Sequence, residues 1–224
     1  SKSRRVGIWL DEALELFPAD YWRFVLVALR PEVRDSNFTW EQFVEKVNGD
    51  LNDTIGNFIH RALTFIWRYF GGRVPEPGEV GEGDRAVLDF LKRKFQEATG
   101  ELEAFRLKSA LRAIVEVARE GNRYLNEREP WRLVKEDPDQ AKTVLYVAAQ
   151  LTKALAVLLA PFIPSSAQRL WELLGLEGSV HEASWEEALR PLEPGHAIRE
   201  PRPLFKKVRM GPEELREALE RLRA

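Results

Sequence analysis

The spacing of apolar residues is the feature that most constrains the fold of this chain. In three long stretches the apolar side chains recur every three or four residues, which places them on one side of an α-helix. These stretches run from Val47 to Tyr69, from Phe105 to Leu125 and from Lys142 to Ala160, and the third is apolar nearly all round. A helix that is apolar on every side is expected at the centre of a bundle. The pattern therefore predicts an all-α helical bundle.

The remaining segments add shorter helices and little extended structure. Gly71-Gly72 is expected to end the first long helix, and Pro138 and Pro164 are expected to begin new ones. A short strand is predicted near Val6–Trp9, and residues 178–208 are predicted to be irregular or extended. Shorter helices are predicted at about 19–29, 39–46, 84–103, 131–136, 164–174 and 212–223.

Composition excludes several kinds of site. The 224-residue chain has a formal net charge of −2, so any binding of phosphates must come from a local group of cations. It has no cysteine and three scattered histidines (His60, His181 and His196), so neither a disulfide nor a metal site is expected. The most apolar stretch, residues 154–164, is too short for the ~20 residues of a membrane-spanning helix. No secretory signal is visible, and a cytoplasmic location is expected.

Two polar residues of the first long helix are candidates for binding a flat ligand. Asn57 and Arg61 lie one turn apart, and Arg68 follows on the same side, away from the apolar stripe. An amide offers a donor and an acceptor, and a guanidinium offers a rigid fork of donors, so the pair suits the edge of a planar group. A simply solvated helix face remains the alternative.

The second long helix carries one polar residue on its apolar stripe and a row of cations beside it. Asn122 shares the stripe with Ile114 and Leu125, so it is expected to be buried, hydrogen-bonded and structural. The cations suit phosphate groups through charge-assisted hydrogen bonds, although such rows are also common on solvated surfaces. They are Arg112, Arg119, Arg123, Arg128, Arg132 and Lys135.

The segment NRYLNEREPW, residues 122–131, ends the second helix with a proline and a tryptophan. Pro130 cannot continue the helix and fixes its own φ angle, so Trp131 is expected to project from a stiff corner. A rigid aromatic ring beside cations is a surface on which unpaired bases stack, at ~1–3 kcal/mol per base. A tryptophan that packs two helices together is the competing interpretation.

Five segments together carry a resemblance to a known family. The chain opens with SKS (Ser1–Ser3), which is similar to the end of the Lys-Met-Ser-Lys-Ser loop of class I aminoacyl-tRNA synthetases. FPADYWRFVLVAL (Phe17–Leu29) and DSNFTWEQFVEKVNGDLNDTIGNFIHR (Asp35–Arg61) follow, and then NRYLNEREPW (122–131) and PRPLFKKV (Pro201–Val208). Over essentially the whole chain these segments resemble methionyl-tRNA synthetases of the archaeal type, in the part that follows the catalytic nucleotide-binding domain.

The resemblance implies a role for individual residues. In this family the CAU anticodon is bound by an Asn and an Arg on one helix and by a Pro-Trp corner, which match Asn57, Arg61, Pro130 and Trp131. Trp131 is then expected to stack on the first anticodon base. Phosphate contacts are expected from Arg68, Arg123, Arg128, Arg132 and Lys135. Lys2 matches the loop lysine that stabilises ATP phosphates in the parent enzyme.

The resemblance also implies domain boundaries and a separation of tRNA binding from catalysis. Residues 1–37 are expected to form the loop end and a stem-contact segment with minor β structure, residues 38–200 the anticodon-binding bundle, and residues 201–224 a return segment and helix. The chain is expected to be a piece of a methionine–tRNA ligase that binds initiator and elongator methionine tRNA without catalysis. ATP, magnesium and structural zinc would belong to the missing catalytic domain, which is also an expected partner, with no cofactor in the piece itself.

Two other functions stay open at this point. The bundle is shared with the anticodon-binding domains of the class I synthetases for cysteine, isoleucine, leucine and valine. A helical scaffold for protein–protein interaction, with no role in RNA binding, is the alternative from a different class.

Overall fold

A computed structural model describes residues 7–32 and 37–223, and almost all of its regular structure is helical. Two short 3₁₀ turns, Val180–Glu182 and Trp185–Leu189, lie in the irregular region after the bundle. The longer helices in chain order are α1 Leu10–Leu16, α2 Ala19–Ala28, α3 Trp40–Glu45, a π-helical segment Lys46–Gly56, α4 Asn57–Phe70, α5 Glu82–Glu103, α6 Leu107–Arg128, α7 Pro130–Glu136, α8 Pro138–Leu159, α9 Pro164–Leu173 and α10 Pro212–Arg223. The predicted all-α bundle is confirmed.

Helices α3 and α4 and the π-helical segment between them form one continuous rod from residue 40 to residue 70. The predicted apolar stripe is present, since Val47, Leu51 and Ile55 are fully buried. The wide π turn was not predicted, because a spacing of four residues fits an α-helix equally well. The rod ends as expected at Gly71, which adopts a left-handed conformation with φ of 59°.

Helix α8 is the centre of the bundle. Every residue from 147 to 159 is buried, and α4, α5, α6, α7 and α9 all pack against this helix. By length and composition α8 could cross a membrane, but 89% of its most apolar window lies inside the fold. That burial is typical of the core helix of a globular protein.

One close contact joins α4 to α6. A Cβ atom on Gly121 would lie 2.6 Å from Cδ2 of the Phe58 ring and closer still to two other ring atoms. Phe58 itself is fully buried. The absence of a side chain at position 121 therefore lets the ring fill the space between the two helices, directly beside Asn57 and Asn122.

A buried carboxylate fixes the ends of α5, α6 and α8 relative to one another. Asp84, at the start of α5, is fully buried, accepts a 2.6 Å hydrogen bond from the hydroxyl of Tyr124 and forms an ion pair with Arg128. The second guanidinium nitrogen of Arg128 donates to Gln140 on α8 at 2.6 Å. Burial, followed by the hydrogen bond to Asp84, raises the pKa of Tyr124. A buried charge that is paired in this way fixes geometry, because breaking the pair leaves it uncompensated.

The predicted strand near Val6–Trp9 is wrong over its described part. Residues 7–9 form no strand, Val6 lies outside the described residues, and the unpredicted helix α1 begins at Leu10. The carboxylate of Glu12 accepts a 2.8 Å hydrogen bond from the backbone N–H of Trp9, which favours a helix start at this point. In the part of the chain that the structure covers, extended pairing is confined to one bridge, between Arg73 and Ala197.

The Phe58–Gly121 contact predicts opposite effects for two alanine substitutions. Gly121→Ala should lower the free energy of unfolding by ~1–3 kcal/mol, because the new methyl group meets the Phe58 ring. The matched control is Gly100→Ala in α5, where a Cβ meets nothing within 4 Å. This control should raise stability by ~0.5–1 kcal/mol, since alanine favours the helix. Denaturant unfolding measures both, and two variants with the same sign would contradict the close contact.

Candidate nucleic-acid interface

The predicted ligand-binding residues meet where α4, α6 and α7 join. Asn57 and Arg61 come from the first two turns of α4, and Trp131 comes from the first turn of α7. Asn57 is exposed, whereas Arg61 and Trp131 are half-buried. Residues 70 or more positions apart are therefore brought into one group by the packing of α4 against α6.

Arg61 is held by two asparagines of α6. Its two terminal nitrogens donate to the side-chain oxygens of Asn122, at 3.3 Å, and Asn126, at 2.8 Å. Partial burial lowers the pKa of the Arg61 guanidinium. An arginine stays protonated at neutral pH nonetheless, so the group keeps its charge while losing part of its water shell. The fork of donors is thus held in one orientation before any ligand arrives.

Asn122 links this arginine to the helical rod. Its oxygen also accepts from the amide of Asn57 at 3.0 Å, and its own amide donates to the backbone carbonyl of Thr54 at 2.8 Å. Asn122 was expected to be buried and is half-buried, and its predicted hydrogen bonding is confirmed. The amide orients both candidate ligand-binding side chains from beneath.

The Trp131 ring is neither part of the core nor free of the bundle. Its ring centre lies 5.8 Å from that of Phe65 on α4, at an angle of 47°, and 5.7 Å from the guanidinium carbon of Arg61. A cation at this distance is attracted by the electrons of the ring. The ring is therefore supported by α4 on one side and stays partly open to solvent. The ring thus combines both predicted alternatives, because it packs against α4 and also projects partly into solvent.

The direction of Trp131 is set by the sharp junction of α6 and α7, which are separated by a single residue. Glu129 ends α6 in a left-handed conformation with φ of 45° and directly precedes Pro130, the first residue of α7. The backbone N–H of Glu129 donates to Leu125 and closes the last turn of α6 at 3.0 Å. Pro130 is buried and locks its own φ angle, so this part of the prediction, a stiff corner, is confirmed.

Most cations of the predicted basic row are engaged by carboxylates. Arg123 bonds Glu120 and Glu127, and Arg132 bonds Glu129 and Glu136; in each case these carboxylates raise the pKa of the arginine. Arg128 is committed to the buried Asp84. The carboxylates therefore offset most of the positive charge of the row. Its predicted contacts with phosphates stay a prediction.

Two other predicted cations are placed differently. Arg68 and Lys135 are exposed, and within the described residues neither forms an ion pair with a carboxylate. The guanidinium carbon of Arg68 lies 5.7 Å from the centre of the Tyr69 ring. Lys2 lies outside the described residues.

Two residues of the site were not predicted from the sequence. Asn126 follows Asn122 by four residues and so occupies the same side of α6, which the spacing could have indicated. Phe65 follows Arg61 by four residues on α4 and supports Trp131, but nothing in its own pattern separates it from a core residue.

The assembled group can recognise an unpaired base. The ring offers a face for stacking, the fork of Arg61 lies 5.7 Å from the ring centre, and the amide of Asn57 adds a further hydrogen-bonding group for a base edge. No group of three or more His, Cys, Asp or Glu side chains that could share a metal ion occurs among residues 7–32 and 37–223.

Two family models match the chain. The one described as the anticodon binding domain of methionyl tRNA ligase matches residues 74–223, and the one described as class I tRNA synthetases (M) matches residues 1–63. The first contains the Pro-Trp corner, and the second contains Asn57 and Arg61.

Relatives of known sequence and structure agree with these models. The methionine–tRNA ligase of Pyrobaculum aerophilum is 51% identical over 208 residues, which are 93% of this chain and 36% of the relative. That of Thermofilum pendens is 46% identical over 99% of this chain and 38% of its own length. The free form of Mycobacterium tuberculosis methionyl-tRNA synthetase superposes with a TM-score of 0.83 at 28% identity, covering 89% of this chain and 40% of that one. This chain thus spans a little over a third of the length of its relatives, and it belongs to the methionyl-tRNA ligase family.

Proposed function

We propose that this chain recognises the anticodon of methionine tRNA, both initiator and elongator. Trp131 stacks on the first anticodon base, the cytosine of CAU, while Asn57 and Arg61 address base edges. Pro130 holds the ring in its direction. The alternatives of another class I synthetase and of a protein scaffold are not favoured by the family matches.

One observation carries this proposal above the others. The half-buried ring of Trp131 and the guanidinium of Arg61 lie 5.7 Å apart, and Asn57 is joined to Arg61 through Asn122. A stacking surface and hydrogen-bond donors of fixed orientation are the two requirements for reading a single-stranded base. Because the donors are already ordered, binding loses less side-chain entropy.

The whole protein would join methionine to this tRNA, as the relatives' name of methionine–tRNA ligase describes. We propose that ATP drives this reaction. ATP, its magnesium and a structural zinc are proposed for the portion of the relatives that this chain does not span. The catalytic domain of the same polypeptide is then the chain's second partner. A cytoplasmic location follows from that role.

Replacing Trp131 by alanine tests the stacking. Trp131→Ala should weaken the binding of a CAU-bearing tRNA transcript by ~1–3 kcal/mol, roughly 5- to 150-fold, because one base loses its platform. The loss of stability should stay well below the ~3–5 kcal/mol of a buried tryptophan, because the ring is only half-buried. A tRNA titration and a thermal melt of the same variant measure both effects. Trp131→Phe should keep part of the affinity.

The matched control for this substitution is Phe105→Ala, which removes an aromatic ring that is 81% exposed in the turn between α5 and α6. It should leave the preference for CAU over altered anticodons unchanged. If Trp131→Ala melts normally and binds as tightly as the original chain, Trp131 has no role in the anticodon site.

Replacing Arg61 by lysine tests whether the guanidinium reads a base edge. Arg61→Lys keeps the charge but loses the planar fork, so it should cost ~1–3 kcal/mol of binding and reduce the preference for CAU. Arg68→Lys on the same helix is the control, and it should retain nearly full affinity because a phosphate contact needs only a charge. If both variants bind the tRNA with the same affinity and the same preference for CAU, Arg61 does not read a base edge.

The chain of 224 residues is also expected to make no methionyl-adenylate by itself. Forming the adenylate requires ATP and the methionine carboxylate to be held together in one geometry. The part of the relatives matched here is the anticodon-binding part and the segment before it. Pyrophosphate exchange dependent on methionine should therefore stay at background, and exchange above background would contradict this assignment.

A further inference from the structure

The chain carries a second group of cations, outside the predicted row. Residues 199–209, called here the cationic segment, contain five cationic side chains and one acidic side chain, Glu200. The cations are Arg199, Arg202, Lys206, Lys207 and Arg209, and all five are exposed. The segment has no helical or strand hydrogen bonding of its own in the structure.

The backbone of the cationic segment is nevertheless firmly held. Leu204, Phe205 and Val208 are buried in the core. The hydroxyl of Tyr21 accepts from the backbone N–H of Lys206 at 2.7 Å and donates to its carbonyl at 3.0 Å. The side chain of Asn48 bonds the N–H and the carbonyl of Val208 in the same two-sided way, at 2.8 and 3.0 Å. The cations are therefore carried on a fixed backbone, which limits the entropy lost when they bind.

The charges of this segment differ from those of the α6–α7 row. Arg123 and Arg132 are each bonded to two carboxylates, which neutralise them locally. In the cationic segment Lys207 pairs with the exposed Asp53 at 2.9 Å. Its other four cations form no ion pair with any described carboxylate. A concentration of uncompensated positive charge thus lies here.

The cationic segment lies next to the base-reading group. A Cβ on Gly56 would lie 3.0 Å from the Phe205 ring, so the segment packs directly on the end of the π-helical segment. Asn57 is the next residue along the rod. Asp53, the partner of Lys207, lies one turn before Asn57, and both side chains are exposed. A strand that places a base against Asn57 would bring its neighbouring phosphates towards Lys207.

The other end of the segment borders an open depression of about 460 Å³. Arg169, Arg199 and Arg202 line it together with Glu172 and Glu200. Arg169 donates to the backbone carbonyl of Leu204 at 3.0 Å and to Ser166, so its charge is not neutralised by a carboxylate. The cationic side chains therefore extend from Lys207, which is paired with Asp53 near Asn57, to this depression.

We propose that the cationic segment binds the sugar–phosphate backbone of the same RNA whose bases are read at Asn57, Arg61 and Trp131. This assignment rests on the proposed function. Phosphates need positive charge without sequence-specific geometry, and four uncompensated cations on a fixed backbone meet that need. The α6–α7 row contributes less, because its carboxylates would repel the same phosphates.

The salt dependence of tRNA binding tests this surface. The probe is a methionine tRNA transcript with a CAU anticodon, titrated with the 224-residue chain at several salt concentrations. K206Q/R209Q should reduce the slope of log affinity against log salt by about 2, because each substitution removes one cation from a phosphate. Between about 50 mM and 200 mM salt, the affinity of the original chain should then fall by about 16-fold more than that of the variant. R123Q/R132Q removes the same charge from the rival surface and should leave the slope nearly unchanged.

The outcomes separate the two proposals. A reduced slope in K206Q/R209Q, with the CAU preference retained, supports the cationic segment as the surface that binds the RNA backbone. An unchanged slope, with the CAU preference retained, overturns the inference and leaves anticodon recognition intact. A larger slope change in R123Q/R132Q also overturns it. If the original chain shows no preference for CAU, the proposed function fails, and a reduced slope in K206Q/R209Q still identifies a nucleic-acid surface. Thermal melts confirm that the variants are folded.

Discussion

The packing of Phe58 against Gly121 determines the separation of α4 and α6, and the candidate site depends on that separation. The hydrogen bonds from Asn57 and Arg61 to Asn122 are 3.0 and 3.3 Å long. If a methyl group at position 121 pushed the two helices apart by its own width, both hydrogen bonds would break. Glycine at position 121 is the only residue type that admits the ring so closely. A contact of the apolar core thus sets the geometry of polar side chains at the surface.

Charge is distributed so that base reading and backbone binding are separate. Around α6 and α7, Arg123 and Arg132 are each bonded to two carboxylates, which limits nonspecific attraction of phosphates to these two side chains. Four cations without a carboxylate partner among the described residues lie in residues 199–209, which pack on the end of the π-helical segment through Phe205. The formal net charge of −2 conceals this arrangement completely. With this division, the bases determine the preference for one anticodon, while the sugar–phosphate backbone of the RNA contributes affinity.

Periodicity predicted the helices well because each one buries a stripe of its own, and α8 was recognised by its lack of a polar side. Helix α1 was missed, since its start depends on the carboxylate of Glu12, and so was the π turn of residues 46–56. In the site, the pairing of Asn57 with Arg61 and the Pro130 corner followed from local spacing. The pairs of Arg123 with Glu120 and Glu127 were readable from the same spacing and were overlooked. The pair of Arg128 with Asp84 spans 44 residues and depends on the tertiary fold.

The junction at Glu129 makes the site sensitive to chain length. One residue separates α6 from α7, so no flexible connection can absorb a change in the number of residues before it. Inserting a single residue between Gly121 and Glu129 would turn everything that follows by about 100° around the axis of α6 and advance it by about 1.5 Å. Trp131 would then leave Arg61, although every residue type of the site was still present. The register of the last two turns of α6 is thus as much a determinant of specificity as the side chains themselves.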